Sequence, residues 1–127
     1  MQFTASLLAL ALAFTGTQAA ALEERQAVGV VFAQFFAGTG CEGNFVEDTA
    51  FVQDGTGACV PNTITTPFQS IRVITNTATR TLHLYSRSNC TVNAGPGLPA
   101  GNVITYAPGE TGCKHPVGGI GSSQFDL

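Results

Sequence analysis

The chain has 127 residues, a formal net charge of −3 and only 10% charged residues. A single lysine, Lys114, and so few arginines leave no basic surface for nucleic acid or an anionic membrane. The length suits one domain, and 15 glycines, nine phenylalanines and no tryptophan fit an all-β chain better than a helical one.

Residues 1–21 read as a signal peptide. Ala5 to Phe14 is an unbroken run of apolar and small residues, and Ala19-Ala20-Ala21 offers a small-residue cleavage site. The start, Met1-Gln2-Phe3-Thr4, lacks the usual basic residue. The run is shorter than the roughly 20 residues that cross a bilayer, and no later run is long enough to do so. Leu22-Glu-Glu-Arg-Gln26 is the one dense patch of charge. It allows a short pro-segment cut after Arg25, with an exposed tail as the plainer alternative. Residues 26–127 are then expected to form one secreted, extracellular domain.

Gln26 to Ala37 reads as a first strand. Val28, Val30, Val31, Phe32, Phe35 and Phe36 make it apolar on both faces, as for a strand buried between two layers. Gly38-Thr-Gly-Cys-Glu-Gly-Asn44 is a turn. Phe45-Val46 and Phe51-Val52 bracket Glu47-Asp48-Thr49, an extended stretch on which the two acids face opposite ways. Asp54-Gly55 marks a tight turn. Gln69 to Thr75 is a strand with Ile71 and Val73 on one face and Ser70, Arg72 and Ile74 on the other. Asn76 to Thr79 is a link. Arg80 to Tyr85 follows as a strand, with Leu82 and Leu84 inward and Thr81, His83 and Tyr85 outward. Asn93 to Gly101 is a Gly/Pro loop, Val103 to Tyr106 a strand, Pro108 to Gly112 a turn, and the chain closes on a strand ending at Phe125. No segment from residue 26 onward reads as a helix.

The halves repeat. Phe36 and Tyr85 each precede a cysteine, Cys41 and Cys90, by five positions. Cys59 and Cys113 come next, and Ser70 and Ser122 follow them by 11 and 9 residues. Two units, about 27–75 and 79–127, are expected to form two Greek keys packed as a β-sandwich. Four cysteines in a secreted chain imply two disulfides with three formal pairings. The repeat favours one staple inside each unit, Cys41–Cys59 and Cys90–Cys113. With no C-x-x-C spacing, a zinc or redox site is the weaker alternative.

On these residues the chain resembles the βγ-crystallin-like superfamily, whose motif is an aromatic, four residues, a second aromatic or its substitute, any residue, then glycine. Phe36-Ala-Gly-Thr-Gly-Cys41-Glu-Gly43 fits with cysteine in the second aromatic place. Tyr85-Ser-Arg-Ser-Asn-Cys90-Thr-Val92 departs from it at Val92. Ser70-Ile-Arg-Val73 matches the serine and short apolar strand that end each unit. The resemblance implies the two-unit sandwich over most of residues 27–127. It also points to small secreted members such as yeast killer toxins and microbial metalloproteinase inhibitors. The start of the chain is similar to small secreted proteins of filamentous fungi, some of them effectors. Many members bind calcium, but here Thr65-Thr66 before Gln69-Ser70, and Gly118-Gly119 before Ser122-Ser123, stand where the oxygen ligands belong. No metal and no cofactor is therefore expected.

Candidate chemistry is sparse. The only histidines are His83 and His115, and no G-x-S-x-G elbow supports a hydrolase. Glu42, Glu47, Asp48 and Asp54 form only a loose acidic group. Asn89-Cys90-Thr91 is a formal glycosylation sequon at Asn89. The loop carrying Asn93, Pro96, Leu98 and Pro99 is the candidate binding segment. The expected function is that of a monomeric, non-enzymatic, effector-like or toxin-like protein that binds an extracellular protein or glycan. The alternatives are a protease inhibitor presenting an exposed loop and, more remotely, a small secreted hydrolase.

Overall fold

The structure is a computed structural model that describes residues 28–127 except 94 and 98. The signal and pro-segment readings lie outside the described residues, as does the start of the expected first strand. The described chain is all-β: eight strands and a single 3-10 turn at Thr39–Cys41. The strands are β1 (Gly29–Phe36), β2 (Phe45–Gln53), β3 (Val60–Pro61), β4 (Ser70–Asn76), β5 (Leu82–Tyr85), β6 (Val103–Tyr106), β7 (Gly112–Lys114) and β8 (Ser122–Phe125).

They form two antiparallel four-stranded sheets, ordered β2-β1-β4-β7 and β3-β8-β5-β6. Advancing every strand of the first sheet by four positions, cyclically, gives β6-β5-β8-β3, which is the second sheet read backwards. The third strand of each half has left its own half: β7 pairs with β4, and β3 with β8. The core lies between the sheets. Val31, Ala33, Phe35, Ile71 and Val73 of one meet Leu82, Leu84 and Tyr106 of the other.

β1 alternates buried and half-buried residues along its length, so its two faces are not equivalent. Val31, Ala33 and Phe35 supply the core, while Val30, Phe32 and Phe36 lie on the outer face, which no layer of the described residues covers. Valine and phenylalanine on that face misled the reading of a strand buried on both sides. On β5 the expected alternation holds: Leu82 and Leu84 are buried, His83 and Tyr85 are half-buried. β2 is one continuous nine-residue strand through Glu47-Asp48-Thr49.

The exchange of third strands overturns the expected disulfides. Cys41 bonds Cys113 and Cys59 bonds Cys90, across sequence separations of 72 and 31. A staple inside each unit requires the unit to keep its third strand. Because β7 crosses to the first sheet, it delivers Cys113 beside the turn holding Cys41. Because β3 crosses to the second, it delivers Cys59 to Cys90.

Ser70 shares a strand face with Arg72, which is exposed. Ser70 itself is fully buried, and so is Ser122, and each latches a turn. The Ser70 hydroxyl accepts the Cys41 N–H at 2.9 Å and donates to the Gly38 carbonyl. The Ser122 hydroxyl accepts the Cys90 N–H at 2.9 Å and donates to the Arg87 carbonyl. In both cases the carbonyl lies three residues before the cysteine. Both cysteines adopt left-handed backbone, with φ 59° and 52°, a conformation that costs a non-glycine residue about 1–2 kcal/mol. The latch and the disulfide hold it. Ser70→Ala is expected to leave a buried N–H and a carbonyl without partners and to destabilise the fold by about 2–3 kcal/mol. Ser122→Ala should cost somewhat less, since its bonds are less buried. Urea unfolding of the two variants checks both the size and the order.

Candidate binding cleft

A sandwich of two sheets has two open flanks. One lies between β6 and β7, the other between β2 and the β3–β8 pair. The first is filled by Tyr106, which is fully buried. Its hydroxyl donates to the carbonyls of Gly112 at 3.1 Å and Ile71 at 3.4 Å. The Lys114 ammonium sits 4.5 Å from the ring centre and is itself held by Glu110 at 2.8 Å. An ammonium over a phenol ring is attractive by about 0.5–2 kcal/mol.

Burial of this ring pushes the Tyr106 phenol well above its ordinary value near 10, and the Glu110 carboxylate adds to the shift. The folded state therefore keeps a proton that the unfolded chain releases. This contribution to stability is whole below pH about 10 and is lost as the pH rises above it. Chemical unfolding measured from pH 8 to 11 should show stability falling at the alkaline end, and Tyr106→Phe should flatten that fall.

The second flank is open. A cleft of about 410 Å³ is lined by Thr49, Phe51, Val60, Ile120, Ser123 and Phe125 among others. Its size falls in the range of small-ligand sites, and its lining is apolar with a few hydroxyl and amide groups, as in such sites. Register explains why it is open. Ala33 and Leu82 both stand eight residues before their cysteines, and they pair with Thr49 and Tyr106 respectively. Thr49 thus occupies the position of Tyr106. By the same count Val60 stands for Lys114, each being one residue beyond the third-strand cysteine. A threonine and a valine replace a tyrosine and a lysine, and the space that the larger pair fills is left vacant.

Side-chain hydrogen bonds shape the rim. Asn62 donates its amide to the Ile120 carbonyl at 2.7 Å, and Gln124 donates to the Gly57 carbonyl at 2.8 Å. Asp54 accepts from the Thr56 N–H and hydroxyl at 2.9 and 2.7 Å, and these two bonds, the backbone one first, hold its carboxyl below the usual range. β2 is an edge strand over its nine residues, whereas β3, facing it across the cleft, is two residues long.

No known family model matches the chain. No curated protein and no solved structure matches it either.

The residues expected from the sequence lie elsewhere. His83 bonds Asp126 through Nε2 at 2.7 Å and stacks on Tyr85 on the outer face of the second sheet. His115 bonds the Gln69 carbonyl through Nδ1. The two histidines are thus engaged by different partners in different strands' surroundings. Glu47 turns inward opposite Phe35 and Asp48 outward opposite Gln34, as two neighbours on a strand must. Among the described residues no group of three or more His, Cys, Asp or Glu side chains is placed to hold a metal. Asn89 is exposed, directly before Cys90. Asn93, Pro96 and Pro99 are exposed, and Leu98 lies outside the described residues. The loop's base is pinned: Gly101 N–H donates to the Val92 carbonyl at 2.7 Å, and the Arg87 guanidinium donates to the Pro99 carbonyl.

The cleft was missed because no single residue announces it. The signal is the equivalence of Thr49 and Tyr106, visible only when the hairpin registers are known.

Proposed function

We propose that the chain is a secreted, monomeric, non-enzymatic interaction protein, effector-like or toxin-like, built as two βγ-crystallin-like Greek keys. It acts by binding an extracellular protein or glycan at the open flank between β2 and β3. The observation that carries this reading is the asymmetry of the flanks: one is sealed by Tyr106, Lys114 and Glu110, and the other opens on an apolar cleft beside a free strand edge. The cyclic correspondence of the two sheet orders supports the Greek-key assignment. Two disulfides in a chain of this size, with no described helix long and apolar enough to cross a membrane, support an extracellular setting.

The test is capture of partners from extracts of competing or host organisms by the oxidised protein. Cross-linkers placed at Val52, on the open flank, and at Thr105, on the sealed one, locate the contact. Cross-links from Val52 support the reading, and cross-links from Thr105 alone overturn it.

A second reading rests on the pinned base of the loop 93–101. Protease inhibitors hold their reactive loop in one conformation in this way. Under that reading the protein inhibits a protease, and Pro96→Ala with Pro99→Ala weakens the inhibition. Asn89 is the site of any attached glycan, read out as a mass loss on enzymatic deglycosylation.

A further inference from the structure

The molecule carries a template for what its open cleft accepts. In the sealed flank a phenol ring fills the space between the sheets and donates its hydroxyl to the carbonyls of Ile71 and Gly112. Ile71 follows the latch serine Ser70 by one residue, and Gly112 precedes Cys113 by one. In the other half the corresponding residues are Ser123, after Ser122, and Ala58, before Cys59. Both line the open cleft, together with Thr49 in the place of Tyr106.

The rest of the lining suits a ring. Phe51, Phe125 and Ile120 supply apolar walls, and Val60 stands where Lys114 covers the Tyr106 ring. A phenol is therefore the group whose ring and hydroxyl this space would both satisfy. A group with no hydroxyl would fill the walls and leave the acceptors unmatched.

The edge beside the cleft indicates how such a group would arrive. β2 ends the first sheet, and among the described residues no strand lies on the outer side of its nine residues. An extended segment added there would alternate its side chains, every second one directed into the gap between the sheets. The short β3 does not cover that gap. We propose, building on the reading that the protein binds a protein partner at this flank, that the cleft takes a tyrosine side chain of the partner. That tyrosine is presented on an extended segment lying along the free edge of β2.

The test uses the oxidised full-length secreted protein and three probes: 4-methylphenol (the tyrosine side chain alone), toluene, and a blocked pentapeptide of sequence Thr-Val-Tyr-Val-Thr. Amide chemical shifts of the wild-type protein are followed during each titration. The expected result is that shifts from 4-methylphenol and from the peptide concentrate at Thr49–Val52, Ala58–Val60 and Ser123–Phe125. The peptide should bind about tenfold more tightly than its tyrosine-to-alanine form, and 4-methylphenol more tightly than toluene. Thr49→Tyr, which supplies the missing ring from the chain itself, should weaken the peptide by about tenfold or more. The wild-type titrations stand even if that variant does not fold.

Shifts elsewhere, equal binding of toluene and 4-methylphenol, or a protein that binds 4-methylphenol but fails to bind the peptide overturns the proposal. A partner captured through Val52 whose affinity is unchanged by Thr49→Tyr would also overturn it, while leaving the binding function itself intact.

Discussion

Tyr106→Ala is expected to destabilise the protein by about 3–5 kcal/mol, the cost of emptying a fully buried aromatic site. For a domain of this size that corresponds to a fall in Tm of roughly 15–30 °C. Two effects combine. The ring is wholly removed from water between the sheets, and its loss leaves a cavity that strands on both sides must collapse to fill. The hydroxyl also shares its one proton between two backbone carbonyls, which then lose that donor. Tyr106→Phe separates the two, keeping the ring and costing about 1–2 kcal/mol for the hydroxyl alone. The opposite change in the other half, Thr49→Tyr, should not mirror the loss with an equal gain, because Val60 offers no ammonium to cover the new ring. Thermal unfolding of the three variants under identical conditions gives the comparison. If Tyr106→Ala costs less than about 1 kcal/mol, the sealed flank is not a packed core and the contrast between flanks fails.

That contrast shows where the sequence was informative and where it was silent. The strands were legible because alternation and turn chemistry are local. Leu82 and Leu84, Ile71 and Val73, and the glycines around Cys41 report their own surroundings. The common spacing of Phe36 and Tyr85 to their cysteines was legible too, and both cysteines share a left-handed backbone. What the repeat could not carry was the destination of each third strand. β3 is Val60–Pro61 and β7 is Gly112–Lys114, both too short to bear a pattern that says which sheet they join. The disulfide pairing depended on that destination, and so it came out wrong. β1 misled for a different reason: apolar residues on both faces are compatible with two buried faces or with one buried and one partly exposed. Burial depends on a layer the strand does not encode. Ser70 and Ser122 were recognised as recurring positions, yet their role as latches required knowing that two left-handed cysteines lie above them. The cleft lay further still from view, since it is defined by what Thr49 and Val60 lack relative to residues 57 and 54 positions later.

Removing the Cys41–Cys113 bond by a double alanine substitution is expected to cost about 4 kcal/mol. Removing Cys59–Cys90 should cost slightly less, because its closed loop is shorter. The pairing itself can be read directly. Trypsin cuts at Arg72 and Arg87 would separate a fragment holding Cys41 and Cys59 from one holding Cys90 and Cys113. With staples inside each unit these fragments come apart without reductant, whereas the crossed bonds hold them together. A protease cutting after Glu42, Glu47 and Glu110 then isolates each cysteine and distinguishes Cys41–Cys113 from the remaining crossed pairing. Digestion at acid pH keeps thiolates scarce and prevents exchange. The crossed bonds tie each turn to the strand the other half has lent, so the disulfide and the serine latch act on the same left-handed cysteine. Once Cys41–Cys113 is gone, the turn depends more heavily on Ser70, and Ser70→Ala in that background should cost more than in the bonded protein, by about 0.5–1 kcal/mol. A strictly additive cycle would mean that the latch and the bond stabilise the fold independently, and that the recurrence of serine beneath each cysteine has another cause.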